Sequence, residues 1–100
     1  MKIKVTDISR MFGRQTRAYA EYRIFSSLAA FSNVVRHVTV SLTSGDTGHA
    51  MECSVLVVLH TGVPVQVTAR GRHAYDAINR AADRLAPALR RHAHVAVPSR

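Results

Sequence analysis

Three runs in which apolar and polar residues alternate follow one another between residues 36 and 69, and a segment of helical periodicity lies on each side of them. A period of two sends every second side chain to the same face, so each run is a strand with one buried side. In the first run Arg36, Val38, Val40 and Leu42 share one face, and His37, Thr39 and Ser41 share the other. In the second, Met51, Cys53, Val55, Val57 and Leu59 alternate with Glu52, Ser54, Leu56, Val58 and His60. In the third, Val63, Val65, Val67 and Ala69 alternate with Gln66 and Thr68. Pro64 cannot donate a ladder hydrogen bond, so this last strand belongs at a sheet edge. Residues 44–48 (Ser-Gly-Asp-Thr-Gly) and the pair Thr61-Gly62 are the turns.

The flanking segments change period. Residues 14–31 contain no Pro or Gly, and Ala20, Ile24, Leu28 and Phe31 form a stripe at spacings of 4, 4 and 3. Tyr22, Phe25 and Ala29 lie beside that stripe. Two readings stand for them: a wider core face, or a surface that docks a protein partner or a second copy of the chain as a homodimer. From about residue 74 a second helix places Tyr75, Ile78, Ala82, Leu85 and Leu89 at spacings of 3, 4, 3 and 4. Asp76 and Arg80 form an i,i+4 pair on it, and Pro87 is expected to kink or interrupt it. A short strand over residues 2–5 and a connection over 6–13 complete the chain.

The order is strand, helix, three meandering strands, helix. Two helices packed on one face of a four-stranded sheet give an α+β two-layer sandwich, as in domains that bind double-stranded RNA. The other face stays semi-exposed, as Thr39, Ser41, Glu52, Ser54, Gln66 and Thr68 suggest. One domain over residues 1–92 and a short tail over 93–100 account for the length, and 100 residues suffice for one modest core.

Charge narrows the function. Lys and Arg number 14 against 6 Asp and Glu, a net +8, and 12 of the 14 are Arg. An excess of that size in a small domain calls for a polyanionic partner, and guanidinium groups suit phosphate oxygens. Arg70 and Arg72 precede the second helix, Arg80 and Arg84 sit one turn apart on it, and Arg90 and Arg91 lie near its end. With both helices on one face, Arg17 or Arg23 could border the same cleft and grip a phosphate backbone without reading bases. The bland alternative is a solvated face of a basic protein. All three Tyr residues fall on helices and no aromatic falls on a strand, so the sheet has no platform for stacking unpaired bases.

Other chemistry finds little support. Cys53 is alone, which excludes an intramolecular disulfide, and its place on the inward strand face makes it a packed thiol. Among six His, only His92 and His94 are close, with no carboxylate beside them, so no metal is expected. No phosphate loop, nucleophile elbow or carboxylate pair is present, and neither an enzyme nor a cofactor is expected. The chain start lacks an apolar signal region and no run approaches a membrane span. A reducing, cytoplasmic setting fits these features.

The second helix carries a resemblance. Ala74-Tyr75-Asp76-Ala77-Ile78-Asn79, then Asp83-Arg84-Leu85 and Leu89-Arg90-Arg91-His92, resembles the ribosome hibernation-promoting factor and ribosome-associated inhibitor family, also known as sigma-54 modulation proteins. The element order fits that family over about residues 1–92. The resemblance implies a bacterial protein that binds rRNA in the decoding region of the small ribosomal subunit. Such a protein occupies the path of messenger and transfer RNA in stress or stationary phase, and some members pair two ribosomes. The family's basic positions carry over to Arg84 and Arg91, whereas Arg80 and Arg90 stand where the family is variable. Pro87 replaces a usual Arg, and Arg72 and His73 replace acidic residues before the Tyr, which implies loss of a good helix cap. The chain resembles the family's short form, without the C-terminal dimerisation domain of the long one.

Overall fold

The computed structural model describes residues 2–7, 13–44 and 50–96. Strand β1 (Lys2–Asp7) leads to helix α1 (Arg14–Leu28), which tightens into a 3₁₀ turn over Ala29–Phe31. Strands β2 (Val35–Ser44), β3 (Met51–Leu59) and β4 (Pro64–Gly71) follow, and helix α2 (Ala74–Ala96) closes the order. The sheet order is β1-β2-β3-β4. β1 and β2 are parallel, as a crossover through α1 allows, and the other two pairs are antiparallel. β4 is therefore an edge, in keeping with Pro64.

The alternation in the sequence is the alternation of burial. Val38, Val40 and Leu42 of β2, the five inward residues from Met51 to Leu59 of β3, and Val65, Val67 and Ala69 of β4 are all buried. They meet Ala20, Ile24 and Leu28 of α1 and Ile78, Ala82, Leu85 and Leu89 of α2 in one cluster. Ala77, Ala81 and Ala88 are buried too, and their small side chains let α2 lie close on β3 and β4. Both helices thus cover one side, giving the expected two-layer α+β sandwich. Leu56 is the large apolar residue left facing out on β3, 37% exposed.

Several details depart from the sequence-based expectation. The β2–β3 register shifts between Val35 and His37, so Val35 is buried and Arg36 leaves the inward face for solvent. β1 extends to Asp7, while residues 8–12 of the connection and the turn at 45–49 lie outside the described residues. Tyr22 and Phe25 are 67% and 53% exposed and do not widen the core. Tyr75, first in the apolar spacing of α2, is 39% exposed and stands outside the core, with its ring edge-on against Tyr19 at a centroid distance of 4.7 Å.

Pro87 does not interrupt α2, and the helix runs four residues into the segment expected as a tail. Pro87 sits on the exposed face, where the Asp83 carbonyl that lacks its N–H partner can be hydrated. Residues 97–100 lie outside the described residues.

The β4–α2 connection is tight. A Cβ on Gly71 would lie 2.5 Å from the Ala77 backbone nitrogen, so only glycine lets the strand end pass the first turn of the helix. That turn is also capped, contrary to expectation. The Asp76 N–H donates to His73 Nδ1 (3.3 Å), and the Asp76 carboxylate accepts the Arg72 N–H (3.0 Å). This resembles a capping box with two changes: an imidazole is the acceptor where a hydroxyl is usual, and the N–H returned to the acid is that of Arg72 rather than of His73.

Candidate nucleic-acid interface

Arg80, Arg84 and Arg91 are separated by 4 and 7 residues on one continuous helix. At 3.6 residues per turn they fall within about 40° of arc. All three are exposed. That arc faces the β4 side of the molecule: an Arg84 Nη1–H donates to the backbone carbonyl of Thr68 on β4. Between helix and strand runs an open groove lined by Pro64, Gln66 and Thr68 on one wall and by Arg84, Pro87, Arg91 and His92 on the other. Among the described residues, Asp83 is the one acid lining it.

The remaining predicted cations sit around this groove in different states. Arg80 is tied to Asp76 at 3.2 Å. The same Asp76 carboxylate is held below its usual range, first by the Arg72 backbone N–H and then by the Arg80 guanidinium. Arg70 stands on the open face of β4, opposite Glu52 at 3.6 Å, with its side chain 77% exposed. Arg72 is exposed at the helix start. Arg90 is exposed but lies about 100° round the helix from Arg91. It follows Asp83 by two turns and borders the arc rather than joining it.

Among the described residues, no basic cleft separates the two helices. They pack directly, and their seam is polar and paired. The Tyr19 O–H donates to Asn79 Oδ1 at 2.6 Å, and Arg23 Nε donates to the same oxygen at 3.0 Å. Arg23 also donates to Ser27 Oγ (3.1 Å) and to Asp83 Oδ1 (3.0 Å). Arg23 is therefore spent inside the seam, because α2 presents an amide and a carboxylate to it. Arg17 is exposed on α1, away from the groove.

Sequence reasoning overlooked a second set of cations. Lys2 and Lys4 are exposed on β1, and Arg36 is exposed at the β2 irregularity. Lys2 pairs in register with His37, so these groups gather at one end of the sheet. Only the parallel pairing of β1 with β2 brings them together.

Catalytic or metal chemistry gains nothing from the geometry. Among the described residues no three His, Cys, Asp or Glu side chains cluster. Cys53 is buried, and burial pushes its thiol up to about 12, far from a reactive thiolate. No helix among the described residues is long and apolar enough to cross a membrane.

Solved structures share the fold. A ribosomal subunit interface protein from Coxiella burnetii superposes with a TM-score of 0.77 at 13% identity, over 93% of this chain and 99% of that one. The N-terminal domain of Protein Y from Thermus thermophilus does so with a TM-score of 0.69 at 22% identity, over 91% and 94%. No curated protein matches the sequence. The family described as Sigma 54 modulation protein / S30EA ribosomal protein matches residues 3–95, from the first strand to the last turn of α2. This chain belongs to that ribosome-associated family.

Proposed function

We propose that this chain is a non-enzymatic, cytoplasmic ribosome hibernation factor. It binds rRNA in the decoding region of the small ribosomal subunit and blocks translation by occluding the path of messenger and transfer RNA. The observation that carries this reading is the arc of Arg80, Arg84 and Arg91 beside the β4 edge, with Arg84 and Arg91 lining a groove in which Asp83 is the one acid among the described residues. Planar guanidinium groups on a rigid helix match phosphate oxygens with two parallel donors each. Arg70 and Arg72 extend the positive surface toward the helix start, and Arg90 borders it. Membership of a ribosome-associated family supplies the polyanion.

Contacts of this kind release counterions, so affinity falls linearly in logarithm with salt. Sucrose-gradient sedimentation with purified small subunits tests the reading. The protein is expected to co-migrate at low salt, to dissociate as salt rises, and to be lost with Arg84→Glu/Arg91→Glu. Protein that stays at the top of the gradient at low salt overturns it.

A further inference from the structure

Helix α1 and the 3₁₀ turn that follows it carry a second stripe that the core does not use. Ala18, Tyr22, Phe25 and Ala29 repeat at spacings of 4, 3 and 4, and all four are exposed. Tyr22 and Phe25 border a groove with Ile3 of β1 at its floor and Glu21 at its side. β1 is the edge strand opposite to β4, so this rim is remote from the α2–β4 groove.

Ile3 faces the helices, and its neighbours Lys2 and Lys4 therefore stand on the other side of the strand. Both lysines are exposed, and neither has an ion-pair partner among the described residues. The rim of β1 thus has two aromatic rings on one side and two ammonium groups on the other.

We propose that this rim binds single-stranded RNA, with bases stacked on Tyr22 and Phe25 and phosphates held by Lys2 and Lys4. Exposed rings beside a positive track are the general means of holding an unpaired strand, since every base has a π-face. Lysine stems are long and flexible enough to reach around a strand edge. Glu21 is compatible with this ligand, because it lines the groove on the side of the rings and a carboxylate there can accept from an exocyclic amino group. Charge decides against a second copy as occupant: each chain carries +8, and like charges oppose the pairing of two small aromatic patches. The surface is separate from the α2 groove, so this inference stands or falls apart from the ribosome reading.

Fluorescence anisotropy with labelled oligouridine and oligoadenosine of about ten nucleotides tests it. Tyr22→Ala/Phe25→Ala leaves the charge unaltered and truncates only exposed rings, and it is expected to weaken binding by about tenfold or more. The exchange Tyr22→Phe/Phe25→Tyr keeps two rings and is expected to bind as the parent does. Lys2→Glu/Lys4→Glu is expected to weaken binding more than Arg84→Ala/Arg91→Ala. Binding unchanged in Tyr22→Ala/Phe25→Ala overturns the proposal, as does a loss that follows Arg84 and Arg91 instead. A concentration-dependent dimer that Phe25→Asp dissolves, with no oligonucleotide bound, also overturns it and assigns the stripe to self-association.

Discussion

Arg23 of α1 donates to the Asp83 carboxylate of α2 across 3.0 Å, and the same guanidinium donates to Asn79 one turn earlier on α2. The two helices are thereby clamped along a polar seam above their apolar contact. The pair Arg23–Asp83 is partly exposed and contributes about 0.5 kcal/mol or less on its own. Asn79 matters more, because one amide oxygen serves both Tyr19 and Arg23.

Replacing Asn79 by Ala leaves a half-buried phenol and a guanidinium without their shared acceptor. A loss of about 1–3 kcal/mol is expected in urea unfolding. Asp83→Ala, by contrast, is expected to change stability by less than about 1 kcal/mol. Equal losses for the two variants would show that the amide is not the centre of the seam.

The helix cap makes stability depend on acid. The folded Asp76 carboxyl titrates below its ordinary value, chiefly because it accepts the Arg72 N–H. The unfolded chain then binds the proton more readily, so stability rises with pH between the two values. The contribution is complete above the ordinary carboxylate value and is lost as pH falls through the folded one. Thermal unfolding followed from neutral pH down into the acid range should show this loss, and Asp76→Asn should flatten it.

Gly71 has no room for a side chain. Gly71→Ala drives a methyl group toward the Ala77 backbone nitrogen, and the strand end or the first turn of α2 must move. A destabilisation of about 1–3 kcal/mol is expected from such overpacking, measurable by chemical denaturation. A variant as stable as the parent would mean that the connection relaxes freely.

Pro87 weakens a helix that continues past it. Pro87→Ala restores an N–H to the Asp83 carbonyl and is expected to raise stability by as much as about 3 kcal/mol. Thermal or urea unfolding of the variant against the parent checks this. Pro87→Arg places a further guanidinium among Arg80, Arg84 and Arg91, and is expected to tighten ribosome binding and steepen its salt dependence by about one phosphate contact.

The architecture was legible because periodicity reports burial directly. Val38, Val40 and Leu42, the odd-numbered residues of β3, and Ala20, Ile24 and Leu28 occupy the faces that spacing assigns them. Edge placement of β4 followed from a missing N–H at Pro64, and an excess of cations on α2 from simple counting. These are local properties. They depend on backbone geometry within one element and need no knowledge of neighbours.

Tertiary structure decided the rest, since it turns on pairs distant in the chain. A helical pattern cannot say which of two adjacent apolar stripes meets the sheet, and packing left Tyr22 and Phe25 outside while Leu28 went in. Arg23 is no more paired in prospect than Arg84, yet partners 56 and 60 residues away in α2 engage its guanidinium and leave it half-buried. The basic groove lies between α2 and β4 rather than between the helices for the same reason. Composition and period determined that this chain is a basic α+β sandwich; the docking of α2 against α1 and β4 determined which of its charges and rings stay available to a ligand.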